Sequence, residues 1–403
     1  MPEVLMPKEK HEDGQRAPTV SLSVAPDARE LKAWDELVRS VSGSDVAQLS
    51  AWADVRRSAG FEPLYLFAHF GGELVGGASV LQRRVPVVGS VGYLPYGPVI
   101  PLGPEREFVC RAMAYALREL ARGTTRVLFV QPALDRDDCS AELRRLGFRP
   151  SQAGIAPVAS LRLDLARDEV ELRAGLRRRL RKWTKAWPKR GVTVRRGTPD
   201  DIGLLARLHA ASARHQGFEP LSLDYLQTLY GRLAVDGHVE LFIGEVEGIA
   251  VAARLYTGCG GVFKQRLIGM DRDSDAARLN VPAAVEWEAI RWSKGNGYKW
   301  FDFGGIRETT ATVLDHESPD MSLLTGSEVF KASFGASPFR YPPPVEFFSS
   351  SVLRSGYDSA LRWPSGRHAL GRVTRVLRSG GSSSIKSEPQ PGWDVGTRNG
   401  IGS

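Results

Sequence analysis

HVELFIGEVEGIAVAARLYTG, residues 238–258, is the stretch whose reading decides the fold. Apolar-rich segments lie on either side of Glu247-Gly248, so it reads as a hairpin, two strands joined by a turn. An earlier passage has the same form. PLYLFAHFGGELVGGASVLQRRVP (63–86) is a hairpin turning at Gly71-Gly72. Phe67 lies eleven residues before Ala78, and Phe242 lies eleven before Ala253. Each hairpin follows a two-helix region, over about 28–40 and 47–59 in the first half. Each precedes another strand, a long helix and a terminal strand, RVLFVQP (126–132) in one half and YKWFDFGG (298–305) in the other. Alternating strand and helix patterns predict an α/β (α+β) fold. Their recurrence predicts an internal duplication of one unit.

The rest of the chain fits two units. Its 403 residues are long for one core, and 42% hydrophobic with 25% charged residues is an ordinary globular composition. The expected divisions are a disordered tail over 1–18, a first unit over 19–170 and a basic helical junction over 171–190. A second unit over 191–345, a C-terminal segment over 346–378 and a second disordered tail over 379–403 follow. Cys110, Cys139 and Cys259 are too scattered for a disulfide scaffold or a zinc site. The N-terminal residues lack the apolar run of a signal peptide, and no stretch is long and apolar enough to span a bilayer. A cytoplasmic location is expected. The net charge of +8 favours anionic partners without choosing among nucleic acid, phosphorylated metabolites and an anionic membrane face.

The charge concentrates at the junction. ELRAGLRRRLRKWTKAWPKRGVTVRRG (171–197) has nine basic residues and no acid between Arg173 and Arg190. Leu172, Leu176, Leu180 and Trp183 recur at helical spacing as a buried stripe, which leaves Arg177, Arg178, Arg181, Lys182 and Lys185 mostly off it. Like charges at this spacing repel. A polyanion that neutralises them would explain why they are tolerated, although a charge run is more often a plain solvated face.

Generic catalytic motifs are scarce. GxGxxG, the P-loop, HExxH and GxSxG are absent, and the seven histidines form no ligand pair, so neither a metal nor a cofactor is expected. Two segments stand out. In YKWFDFGG, Asp302 closes a strand just before Gly304-Gly305, which permit an unusual turn or the close approach of a ligand. In EVFKASFG (328–335), Lys331 is a single charge between aromatic residues. A capping role for Asp302 and a snorkelling lysine are the plain alternatives.

Taken together, LNVPAAVEWEAIRWSKGNGYKWFDFGGI (279–306), the later EVFKASFG, PYGPVI (95–100) and QLSAWADVRRSAGFEPLYLFA (48–68) resemble the Fem family of aminoacyl-tRNA-dependent peptidyltransferases. The likeness covers roughly 20–345 and keeps the motif order. It implies two tandem acetyltransferase-like (GNAT-like) domains. It also implies transfer of an amino acid from aminoacyl-tRNA to an amine of a peptidoglycan precursor, or of a related peptide such as an antibiotic intermediate. A lipid-linked acceptor would bring the protein transiently to the inner membrane face. The long coiled-coil arm of some members is missing here. By the same resemblance, Phe330 and Lys331 lie near the reacting ester, Arg214 contacts substrate and Arg56 is a phosphate ligand. Two departures concern the acceptor. Lys264 and Arg266 stand where tyrosines are expected, and Gln131 replaces a substrate-binding acid.

The chemistry needs no protein nucleophile: an amine attacks an activated ester, and a lysine stabilises the developing oxyanion. Asp302 is a candidate proton acceptor, beside substrate groups and water. Two rivals remain, acyl transfer from acyl-CoA and a non-catalytic RNA-binding role. The first wants backbone amides at a glycine-containing, basic turn before a helix. DRDSDAARLN (271–280) has more acids than bases and no glycine.

Overall fold

The computed structural model describes residues 3–5, 17–86, 88–132, 138–274 and 277–378. In chain order its strands are β1 (Glu3–Leu5), β2 (Thr19–Ser23), β3 (Glu62–Phe70), β4 (Glu73–Val85), β5 (Gly89–Leu94), β6 (Val127–Val130), β7 (Arg149–Pro150) and β8 (Ala159–Asp164). There follow β9 (Val192–Arg196), β10 (Val239–Val246), β11 (Ile249–Cys259), β12 (Val262–Met270), β13 (Trp300–Ile306), β14 (Ser337–Arg340) and β15 (Val345–Phe348). They form two sheets, β1-β2-β3-β4-β5-β6-β15-β7 and β14-β8-β13-β12-β11-β10-β9.

The duplication is visible strand for strand. β2 to β6 occupy the places of β9 to β13, so the two hairpins are equivalent. In both sheets the one parallel contact falls at the same point, β5 beside β6 and β12 beside β13. Each hairpin carries a bulge two pairs from its turn, after His69–Leu74 and after Glu245–Ala250. Counted from the turn, Phe67 corresponds to Ile243, not to Phe242. The eleven-residue spacing therefore found the right repeat one position out of register. The cause is that neighbouring residues are all buried in these central strands, so periodicity alone does not fix the offset.

The expected boundaries need correction. β8, inside the 19–170 unit of the sequence reading, pairs with β13 and β14 in the second sheet. β15, at the edge of the 191–345 unit, pairs with β6 and β7 in the first. Each sheet thus takes one strand from the other half, where it covers the edge beside the parallel pair. Glu3–Leu5, within the stretch expected to be disordered, pair with β2. The tail 379–403 lies outside the described residues.

Helix Arg106–Gly123 packs Val109, Met113, Leu117 and Leu120 on the first sheet. Helix Val281–Gly295 packs Val281, Val285 and Ile290 on the second. Between the sheets, Val55, Leu81 and Phe129 share one core with Leu205, Leu226 and Leu255. The halves are therefore joined by apolar burial. Only helix Leu223–Ala234 intervenes between helix Ile202–Gln216 and β10, so no coiled-coil arm is present there.

Candidate active site

The site begins where two strands part. β12 and β13 pair from Val262–Trp300 to Lys264–Asp302 and no further. The register of β13 against β8 shifts between Asp302 and Gly305. Gly304 has φ +79°, a backbone geometry that glycine alone adopts without strain. A Cβ there would lie 3.5 Å from the Gln265 carbonyl oxygen and 3.9 Å from Lys331 Nζ, so the lysine reaches the mouth of the gap.

Lys331 is carried by the short helix Gly326–Ala332, which starts with a Thr325–Glu328 capping box. Glu328 also accepts from Arg307 (2.7 and 3.0 Å) and Thr310 (2.5 Å), which ties this helix to the segment leaving β13. Phe330 and Phe334 pack edge to face, and Phe334 meets Phe303 at 5.1 Å. With its stem so placed, Lys331 Nζ donates to the Gly305 carbonyl at 2.8 Å. Its other N–H groups have no partner among the described residues. Burial pulls its pKa below the ordinary lysine value, while Asp302 and Glu286 pull the other way.

Glu286, fully buried on helix 281–295, was missed by sequence reasoning. It accepts from Arg254 (3.3 Å), Gln265 (2.7 Å) and the Tyr256 hydroxyl. Burial raises its pKa despite Arg254. The Arg254 guanidinium lies 5.1 Å from the Phe330 ring, so this network backs the lysine helix. The signal was a Glu three residues after Ala283 and four before Ile290, on an otherwise apolar stripe.

The other side chain of the pair, Asp302, points to the opposite side of β13 from Phe301 and Phe303 and is fully buried. Beyond it lies a small cleft between the halves, lined by Asp45, Tyr96, Arg162, Lys264, Arg266 and Tyr341. Its Oδ2 accepts from Ser160 (3.1 Å), Arg162 (3.0 Å) and Tyr341 (3.3 Å), and its Oδ1 from the Gly304 amide (2.8 Å). Burial alone would raise its pKa, but Lys264, Arg162 and that amide outweigh it and hold the carboxyl below its usual range. A carboxylate so stabilised is a poor proton acceptor. In this structure Asp302 shapes the turn at Gly304 and orients Arg162, contacts that do not by themselves call for the expected basic role.

Lys264 and Arg266 face the same cleft. Lys264 donates to Asp45 (3.1 Å) and to Tyr341 (3.2 Å). Arg266 donates to Thr257 (2.8 Å) and to Asp45. Asp45 is held well below the carboxylate range because both cations outweigh its burial. Three other predicted residues lie elsewhere. Gln131 is buried beyond the end of β6, bonds Pro342 O at 3.2 Å and lines a separate pocket with Tyr93 and Phe129. Arg214 is exposed near the end of helix 202–216. Arg56 is 3% exposed, stacks on Phe61 at 4.2 Å and donates to Leu377 O at 2.9 Å. The C-terminal helix Pro364–Arg378 covers it, so the expected phosphate ligand is turned inward in this conformation.

The junction forms two short helices, Glu169–Gly175 and Arg178–Ala186, rather than the continuous helix the spacing suggests. The break is held from outside: the Arg177 amide donates to Ser333 O at 2.9 Å. Gly335 packs so closely that a Cβ would sit 2.8 Å from Gly175 O. Leu172, Leu176 and Leu180 are buried as expected. Arg177, Arg178, Arg181, Lys182 and Lys185 are exposed and have no acidic partner among the described residues. This unneutralised face is thus bonded directly to the end of the lysine helix.

Comparisons with known proteins follow the same lines. An acetyltransferase (GNAT) domain family matches residues 171–315. The lipid II:glycine glycyltransferase of Staphylococcus aureus strain COL is 25% identical over an alignment covering 53% of each chain. The chain therefore spans about half the length of the curated relatives it matches, with 53% of that relative covered. A crystal structure of FemX superposes with a TM-score of 0.70 at 18% identity, over 81% of this chain and 97% of that one. L-PGS from Bacillus licheniformis gives a TM-score of 0.52 at 14% identity, over 88% and 98%.

Proposed function

We propose that this chain, a member of the Fem family, transfers an amino acid from aminoacyl-tRNA to an amine of a peptidoglycan precursor. The observation that carries the reading is the placement of Lys331 at the parting of β12 and β13, bonded through Ser333 to an exposed basic face without acids. The face would hold the tRNA backbone, contacts that position without specifying sequence. The charged 3′ end would then present its ester at Lys331.

The acceptor amine, neutral when it attacks, adds to the ester carbonyl. Negative charge develops on the carbonyl oxygen, and the Lys331 ammonium, partly desolvated and aimed into the gap, stabilises it. The C–N bond forms in that addition; collapse of the tetrahedral intermediate restores the carbonyl and breaks the C–O bond to the ribose, whose oxygen takes up the proton the amine loses. Helix 326–332 fixes the ammonium before the reaction, so little reorganisation opposes it.

Acyl-CoA as donor is the rival that the acetyltransferase domain match favours. Against it, Asp271 and Asp273 occupy the approach to helix 281–295, where a pyrophosphate would need amides and positive charge. Purified protein is incubated with charged total tRNA and an amine-bearing muropeptide precursor, with acetyl-CoA in a parallel tube. The reading expects a labelled amide product that ribonuclease pretreatment abolishes. Product from acetyl-CoA alone, insensitive to ribonuclease, overturns it. No helix among the described residues is long and apolar enough to cross a membrane. A lipid-linked acceptor would be reached by contact of the basic surface with an anionic leaflet.

A further inference from the structure

The cleft beyond Asp302 holds more hydrogen-bond donors than the protein uses. Arg162 is 7% exposed and spends only Nε, on Asp302 at 3.0 Å. Its terminal nitrogens have no partner among the described residues, and its guanidinium is locked flat on the Phe339 ring at 3.5 Å. The Tyr96 hydroxyl, in a residue 7% exposed, is likewise unpartnered among them. Tyr96 takes φ +51°, uncommon for a residue with a side chain, and its ring lies 4.3 Å from Lys264 Nζ. These donors lie at the cleft wall within reach of solvent, and an ionised acceptor there would make stronger, charge-assisted hydrogen bonds than water does.

Charge decides what arrives. Arg162, Lys264 and Arg266 supply three positive charges, and Asp45 and Asp302 two negative ones, so the cleft carries one net positive charge. A monoanion neutralises it, whereas a phosphate dianion would leave it negative. The planar fork of Arg162 suits a carboxylate, which accepts two parallel hydrogen bonds. We propose that this cleft is a carboxylate-recognition subsite, with Arg162 and Tyr96 binding a free carboxylate of an amino-acid or peptide acceptor. Calling the bound molecule the acceptor rests on the transfer reading above; the carboxylate preference does not. The geometry supports the assignment: Asp302 opens to this side of β13, Lys331 approaches from the face carrying Phe303, and Gly304-Gly305 lie between. Only the Gly304-Gly305 turn separates them: Asp302 accepts from the Gly304 amide at 2.8 Å, and Lys331 Nζ donates to the Gly305 carbonyl at 2.8 Å. An acceptor anchored by its carboxylate could thus bring its amine to the ester.

The test is a calorimetric titration of the full chain, without tRNA, against glycylglycine, glycylglycinamide and inorganic phosphate. Glycylglycine is expected to bind ~10-fold or more tightly than its amide, the loss of a charge-assisted pair, and more tightly than phosphate. Arg162→Lys keeps the charge but loses the fork; Tyr96→Phe removes one hydroxyl and leaves the buried ion pairs whole. Each is expected to narrow the acid-to-amide ratio, with Tyr96→Phe reporting even if Arg162→Lys folds poorly. Equal affinity for acid and amide, tighter phosphate binding, or an unchanged ratio in Tyr96→Phe and in folded Arg162→Lys overturns the proposal. Carboxylate binding that persists while the transfer assay fails would overturn only the transfer reading. Successful transfer without carboxylate preference would overturn only the subsite.

Discussion

Lys331→Met separates catalysis from structure most cleanly. The methionine keeps an unbranched stem of similar length among Phe330, Phe334 and the strand exit, so packing changes little. What disappears is one hydrogen bond, Nζ to Gly305 O at 2.8 Å, and a charge that is already partly desolvated. The bond is worth about 1 kcal/mol, and relief from burying an ammonium offsets part of it, so the net stability change should stay within about 1 kcal/mol. The rate change should be far larger. Removing one donor to a developing oxyanion costs ~10²–10³-fold in the chemical step. Lys331→Arg is also expected to be poor, because a planar fork cannot place its charge where a compact ammonium did. Single-turnover transfer at saturating charged tRNA and acceptor, with a urea unfolding curve on the same sample, gives both numbers. A folded Lys331→Met protein that transfers at near-wild-type rate would remove this lysine from the mechanism.

Asp302 should report on acid stability. Its pKa is depressed in the fold, so its stabilisation is complete above the unfolded carboxyl value of about 3.9 and is lost as pH falls through the lower folded value. Asp302→Asn, which leaves Arg162 without its charge partner, should lower the urea midpoint clearly at pH 7 and progressively less below pH 4; an equal loss at both would show that the charge is not what matters. Gly304→Ala has steric room but not the backbone freedom at φ +79°, so it should cost roughly 1–2 kcal/mol and slow transfer by shifting the strand exit under Lys331. Unchanged stability in that variant would refute the conformation given for this turn. Reversing Arg177, Arg181 and Lys185 to Glu should weaken tRNA binding, with little effect on folding. The slope of log K against log salt should fall by about 2–3, near 0.7–0.9 for each phosphate that is no longer neutralised. A filter-binding slope equal to wild type would leave the face as ordinary solvated surface.

Much of the architecture was legible because its signals are local. The hairpins show in paired apolar runs about their Gly71-Gly72 and Glu247-Gly248 turns, and the basic junction shows in a charge run no fold can hide. That Lys331 would lie beside the FDFGG strand exit was legible through its motif. The cleft was not. Asp45 precedes a short helix in the first half, Arg162 lies on β8, Lys264 on β12 and Tyr341 after β14. In ASLRLD, Leu161 and Leu163 alternate with Ser160 and Arg162, which reads as a strand with one face in solvent. The second face is buried because the other half of the molecule covers it, a fact of tertiary packing that no window on the strand contains. Arg56 failed for a related reason. Its position on helix Ser50–Ser58 was foreseeable, but the C-terminal helix that closes over it arrives from 321 residues away.

The two exchanged strands explain why a duplicated fold carries a single lysine-bearing site. In the first sheet, the position beside the parallel pair is filled by β15, whose Val345 and Phe347 join that core and whose Glu346 is tied to Arg149 at 3.1 Å. In the second sheet the same position is filled by β8, which delivers Ser160 and Arg162 to Asp302. The first parting of strands opens on a pocket lined by Tyr93, Phe129 and Val345, where Gln131 bonds to backbone and no lysine or arginine enters. The second is lined with buried charge, and Lys331 bonds to Gly305 at its strand exit. Because Arg162 is encoded before the basic junction and Lys331 after it, neither half of the chain contains the whole site. The apolar core shared by Val55, Phe129, Leu226 and Leu255 keeps the halves in register, and so holds the cleft at a fixed distance from the lysine. Duplication supplied two equivalent frameworks, and the exchange of one strand each way made them unequal.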